Sequence, residues 1–215
     1  YTSGVSPVVQ DASATISKNG AAAVSYDGSP ITDDGRYTLV LTDTYGNTQT
    51  CSFVIDSVAP ALTVNGNTDD WTHDDVVLNL SKTLGVSGES SLAVTYNGGI
   101  AQEITGATSY TAKQNGTYVF TLTNGVGQTV SKRVGIGKID KVTPGIQIQS
   151  VTTAGSTYHY SADVPSENDV TVALNNPNNV LSGVTYYYSK DGGSTWNAFD
   201  GSSFVITDTA NATDH

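Results

Sequence analysis

The chain has 215 residues, a formal net charge of −11, and 30 threonines against only 9 Lys plus Arg. Phosphate binding needs clustered Lys and Arg, so this balance argues against a nucleic-acid partner and against an anionic membrane surface. Thr, Val, Tyr and Ile favour strands while Gly and Asn favour turns, so the composition excludes a helical fold and predicts an all-β one.

In chain order, residues 34–47 read D-G-R-Y-T-L-V-L-T-D-T-Y-G-N. Tyr37, Leu39 and Leu41 alternate with Arg36, Thr38 and Thr42, which predicts a half-buried strand. Asp34-Gly35 ahead of it is a turn former, because Gly accepts positive φ. A second alternating run, Thr48–Ile55, completes a hairpin; Ile55-Asp56 then leads into a short link closed by Pro60. Short strands are predicted at Leu62–Asn65, Val76–Leu80, Leu92–Tyr96, Ile100–Ile104 and Ser109–Ala112.

Residues 115–128 then repeat the first formula as N-G-T-Y-V-F-T-L-T-N-G-V-G-Q. Gly35 and Gly116, Tyr37 and Tyr118, and Gly46 and Gly127 are each offset by 81. The string I-D-S-V-A-P at 55–60 returns as I-D-K-V-T-P at 139–144, offset by 84, so one strand or turn carries a three-residue insertion. Further strands are predicted near Ile146–Val151, Val170–Leu174, Val184–Ser189 and Phe204–Thr207. Three domains follow: a short one at 1–57, either a compact variant with fewer strands or one missing its start; a full one at 58–141; and a third at 142–215 whose last two strands are missing, disordered or outside this chain. Seven short strands in the middle domain fit an immunoglobulin-like β-sandwich. Tyr37 and Tyr118 stand where that fold places its tyrosine corner, a phenol bonded back to backbone. Leu39 and Phe120 then fill a position that a cystine occupies in antibody domains.

The strings D-G-R-Y-T-L-V-L-T-D-T-Y-G-N, F-V-I-D-S-V-A-P, D-D-W-T-H-D-D-V-V-L-N-L-S and S-G-V-T-Y-Y-Y-S-K-D-G-G-S-T-W resemble bacterial Ig-like repeats. The resemblance implies tandem Ig-like sandwiches in an extended arrangement, within a large secreted or cell-wall-attached bacterial protein. Such repeats serve as spacers, adhesin stalks and accessory modules of extracellular enzymes. The implied module is non-catalytic and monomeric, with host or microbial surface glycans or proteins as candidate partners. Asn124 and Gln128 replace Asp43 and Asn47 of the first repeat, so a role for that Asp in turn capping or metal binding is not expected in the second.

Several residues are candidates for chemistry. Asp69, Asp70, Asp74 and Asp75 flank Trp71 and His73, and clustered carboxylates can hold calcium, although most such Asp residues simply enter strands or turns. Asp56 and Asp140 sit at domain junctions, where a cation could stiffen a linker. Ser189-x-Asp191-x-Gly193-x-Thr195-Trp196 matches the Asp-box hairpin, a structural element that implies no enzyme. Tyr158, Tyr160, Tyr186, Tyr187, Tyr188 and Trp196 gather aromatics in the third domain; Tyr186, Tyr188 and Trp196 are candidate ligand-binding residues, because sugar faces stack on such rings. His73, His159 and His215 are scattered without zinc-site spacing, and no nucleophile elbow is present, so no cofactor and no active site are expected. A Lys82–Asn124 cross-link requires adjoining strands. Cys51 is expected to be a buried small hydrophobe. No run of apolar residues is long enough to span a membrane, and the opening Tyr-Thr-Ser-Gly reads as the interior of a longer chain.

Overall fold

The computed structural model describes residues 1–67, 69–153, 155–158, 169–175 and 179–206. Every regular element among them is a β-strand, and every strand pairing is antiparallel. No helix among the described residues is long and apolar enough to cross a membrane. The chain divides into two compact units: Tyr1–Asp69 with Asp75–Ile139, and Asp70–Asp74 with Asp140–His215.

The first unit begins with β1 (Ser13–Lys18), β2 (Val24–Ser25), β3 (Gly35–Thr42) and β4 (Thr48–Ile55), which form one sheet in the order β2-β1-β3-β4. It continues with β5 (Ala61–Asn65), β6 (Val76–Thr83), β7 (Glu89–Tyr96), β8 (Gln102–Glu103), β9 (Ser109–Ala112), β10 (Gly116–Asn124) and β11 (Thr129–Ile136). These seven make two sheets, β5-β6-β9 and β11-β10-β7-β8. The larger one repeats the connectivity of the first sheet: β8-β7-β10-β11 corresponds to β2-β1-β3-β4.

The core follows from the alternation. On β10 every second residue, Tyr118, Phe120, Leu122 and Asn124, is buried. Tyr118, Phe120 and Leu122 meet Leu92 and Val94 of β7 and Leu78, Leu80 and Ala112 of the smaller sheet in a single hydrophobic cluster. β3 carries the same formula, but only Gly35, Tyr37 and Leu39 are buried; Leu41 is half-buried. In β4 burial is complete only at Ile55, and Thr48–Ser52 are all exposed. Cys51 is therefore exposed, contrary to the expectation of a buried hydrophobe. The cause is its place on an edge strand, in a stretch that burial does not reach.

The register locates the insertion. Gly35 pairs with Ile55 and Gly116 with Ile136, so the offset is still 81 at the end of each hairpin. The three extra residues are therefore Gly137–Ile139, between β11 and Asp140. Ile139 joins the core, and the Asn115 side chain clamps it at both ends. Its Nδ2 donates to the Ile139 carbonyl at 2.7 Å, and its Oδ1 accepts from the Ile139 amide at 2.8 Å.

The second unit contains β12 (Gln147–Thr153), β13 (Ser156–Tyr158), β14 (Val170–Asn175), β15 (Tyr186–Tyr188), β16 (Asn197–Phe199) and β17 (Ser203–Ile206). Its sheets are β13-β12-β14-β17 and the hairpin β15-β16. The pairings of β12-β14-β17 mirror β5-β6-β9, and β15-β16 mirrors β7-β8. Strands corresponding to β10 and β11 are absent among the described residues of this unit. His159, Tyr160, Thr207 and His215 lie outside the described residues, as does the Tyr158 side chain.

Phe120 is fully buried where the two sheets of the middle region meet. Phe120→Ala should lower stability by about 3–5 kcal/mol in urea unfolding, through lost burial and the cavity left behind.

Candidate functional site

The best-defined polar site is built around a buried aspartate. Asp56 follows β4 directly and is 0% exposed. Burying a carboxylate is costly unless donors surround it. Its Oδ1 accepts from the Val58 amide two residues on, at 3.2 Å, turning its own chain. Its Oδ2 accepts from the Ser87 amide at 2.9 Å and from the Ser87 hydroxyl, both on the loop between β6 and β7. Arg36 on β3 closes the same loop from another side, its Nη2 donating to the carbonyls of Val86 at 2.9 Å and Ser87 at 3.2 Å. The Asn124 amide adds a bond to the Val58 carbonyl at 3.4 Å. Gly85 has to be glycine, because a Cβ there would strike the Asp56 carboxylate. Burial pushes the Asp56 carboxyl up, but the hydrogen bonds from Ser87 and Val58 outweigh it and hold the group below its ordinary value of 3.8.

Asp140 is built the same way inside the second unit. Its Oδ1 accepts from the Val142 amide at 3.1 Å and its Oδ2 from the Ser182 amide at 2.7 Å. The Ser182 bonds, backbone first, hold its carboxyl below the ordinary range. Each I-D-x-V-x-P string thus carries a carboxylate that grips a Ser-Gly loop downstream. The partners are 31 residues away in one case and 42 in the other. Sequence reasoning placed Asp56 and Asp140 at junctions but missed Ser87, Ser182 and Arg36. The recurring Ser-Gly dipeptide was the available signal, and its unequal spacing hid it.

The anticipated phenol bonds are present. Tyr37 Oη donates to the Asp33 carbonyl at 2.9 Å and Tyr118 Oη to the Gln114 carbonyl at 2.8 Å. The expected loss of turn capping at Asn124 does not occur. Asp43 Oδ1 accepts from the amides of Tyr45 and Asn47, both at 2.8 Å. Asn124 Oδ1 accepts from Val126 at 3.2 Å and Gln128 at 2.9 Å, since capping needs an acceptor and not a charge. Lys82 and Asn124 lie on strands of different sheets. Lys82 instead pairs with Glu89 at 2.6 Å, both side chains mostly buried.

Asp69, Asp70, Asp74 and Asp75 are all exposed. Asp69 and Asp75 belong to the first unit, Asp70 and Asp74 to the second. His73 lies 3.4 Å from Asp74, and the Asp74 amide donates to Thr72 Oγ1 at 3.0 Å. No group of three or more His, Cys, Asp or Glu side chains suited to a metal ion occurs among the described residues.

The aromatic candidates separate by face. Tyr188 stacks on Phe204 at 4.3 Å, and Tyr186 and Tyr188 both pack against Phe199. Trp196 is 63% exposed, and Tyr187, which the alternation sets on the opposite face from Tyr186 and Tyr188, is 53% exposed. The hairpin turn between β15 and β16 is tied by Asp191. Its Oδ2 accepts from Thr195 Oγ1 at 2.7 Å and its Oδ1 from the Thr195 amide at 2.8 Å, while Ser189 Oγ donates to Oδ1 at 2.7 Å. These bonds, the Thr195 hydroxyl first, lower its pKa to about 2.

No family model matches the chain, and no curated protein matches it either. Among solved structures, it is similar to one described as a 1.5-MDa bacterial ice-binding adhesin retained at a host cell surface. The identity is 13% and the TM-score 0.31, over 97% of this chain and 79% of that one.

Two measurements check this geometry. Asp56→Asn should cost about 1–3 kcal/mol at neutral pH, the range for a buried donor left without its acceptor. Because the folded carboxyl titrates below 3.8, its stabilisation is complete above that value and is lost as the pH falls through the folded pKa. The gap between wild type and variant in urea unfolding should therefore close in acid, and a gap independent of pH would remove the charge from the account. In the second unit, a carbon-detected NMR titration should place the Asp191 midpoint near 2.

Proposed function

We propose that the chain is a non-catalytic structural module of a bacterial cell-surface or secreted protein, made of tandem immunoglobulin-like sandwich repeats and acting as a spacer or stalk. One observation carries this: the end of the first repeat is fastened to a loop of the next by Asp56 and Arg36. A spacer has to pass position and load from one repeat to its neighbour. A bare proline linker stiffens a junction, but side chains that cross it couple the two folds. The recurrence of the same aspartate geometry at Asp140 supports a device used once per repeat. The phenol bonds of Tyr37 and Tyr118 and the single core shared by β5, β6, β7, β9, β10 and β11 support the immunoglobulin-like assignment.

An adhesive role is the second reading. It is favoured by Tyr187 and Trp196, two large exposed rings on a hairpin with a tied turn. Surface glycans or proteins are the partners such rings suit.

Single-molecule pulling from both termini tests the spacer role. In the Arg36→Ala, Asp56→Ala double variant the 1–57 sheet should unfold at lower force than in the wild type, with the event of the middle repeat unchanged. Identical force traces for the two proteins would sink the coupling on which the proposal rests.

A further inference from the structure

We infer that a cleft beside the β9–β10 turn of the first unit binds a neutral pyranose. A spacer needs no ligand, so this goes beyond the function proposed above. The cleft is open on one side, offers about 490 Å³, and is lined by residues that include Tyr96, Tyr110, Tyr118, Gln102, Lys113 and Gln114. That volume lies within the usual span of small-molecule sites, which combine aromatic walls with a few polar groups.

The rings are fixed before any ligand arrives. Tyr118 packs against Tyr96 at 5.1 Å and Tyr110 at 5.8 Å, and Tyr110 meets Phe120 edge-on at 5.6 Å. Tyr96 Oη and Tyr118 Oη donate to the carbonyls of Asn115 and Gln114, each at 2.8 Å. Tyr96 and Tyr110 remain half-buried, so part of each ring is accessible. Such surfaces suit the apolar face of a sugar ring. Gln102 and Gln114 are exposed, and neither side chain makes a hydrogen bond among the described residues. Each carboxamide offers donors and an acceptor, the combination that adjacent sugar hydroxyls need.

Charge selects a neutral ligand. The Val76–Ala112 pairing places Asp75 across from Lys113, so the one cation of the wall faces a carboxylate-bearing position. In a chain of net charge −11, that leaves little attraction for an anionic sugar. The first repeat lacks the feature. Where Tyr96 pairs with Tyr118, Lys18 pairs with Tyr37 and lies over its ring at 5.7 Å.

Saturation-transfer NMR on the whole chain tests this, with the methyl glycosides of glucose, galactose and N-acetylglucosamine as probes and glucuronate beside them. At least one neutral glycoside should bind saturably, with a Kd on the order of millimolar. Gln102→Ala, an exposed change on the short strand β8, should weaken it roughly tenfold, or about 1.4 kcal/mol. Tyr110→Ala should abolish it while Tyr110→Phe keeps it, with melting curves confirming that each variant folds. Should Tyr110→Ala fail to fold, Gln102→Ala decides. The proposal is overturned if no neutral glycoside binds, if glucuronate binds better, or if Gln102→Ala leaves binding unchanged. Loss of binding in Trp196→Ala instead would move the site to the other unit and equally overturn it.

Discussion

A carboxylate with no exposed surface is the constraint around which the first unit is arranged. Asp56 can stay buried and charged only because three donors reach it. Its two oxygens do different work: Oδ1 turns the chain that leaves β4, and Oδ2 holds the loop between β6 and β7. The chain leaving β4 and the loop of the neighbouring repeat are thus tied to the same group. Gly85 follows from this, since the carboxylate occupies the space a side chain would need. So does the Arg36 contact, which takes the carbonyls of the loop whose amide Asp56 has taken. Hydrogen bonds to a charged group are stronger than neutral ones, so the ties made by Asp56 are of the stronger kind.

The repeated strand formula shows what local sequence decides and what it does not. β3 and β10 share alternation, turn residues, register and the phenol bond four residues upstream. They differ in burial, because β10 faces a second sheet whereas burial over β3 and β4 fades toward the far end of the hairpin. The capping pair shows the same division. Asp43 is exposed, and Asn124, at the equivalent place, is 0% exposed and also reaches the Val58 carbonyl. An amide can serve as cap and donor together, which a carboxylate cannot.

Strand positions were legible because period-two alternation and Gly- or Asn-containing turns are local signals. Val76, Leu92 and Ser109 each fall inside an observed strand as expected. Cys51 was misjudged because alternation reports which face a residue takes, not whether anything covers that face. The same limit applies to Tyr186 and Tyr188: their shared face was clear, but its packing against Phe199 and Phe204 depends on β16 and β17. The Asp56–Ser87 and Asp140–Ser182 contacts were out of reach for another reason. Loops of different length separate the partners, so no fixed spacing marks them.

The acidity of the chain has a structural origin in these turns. Asp27, Asp43, Asp56, Asp140 and Asp200 each accept a bond from the amide two residues ahead. Asp191 does the same job with Thr195. All six carboxyls are held below their ordinary range, and for all but the buried Asp56 the largest cause is a hydrogen bond from a neighbouring backbone or side chain. The charge is therefore balanced locally by N–H and O–H dipoles, without a lysine or arginine for each aspartate. Threonine and serine complete the economy on the strands, where cross-strand hydroxyl pairs such as Thr38–Ser52 and Thr121–Ser131 stand where ion pairs often do. A protein built of many short hairpins on this plan gains negative charge at each turn capped by aspartate, and none where asparagine caps, as at Asn124.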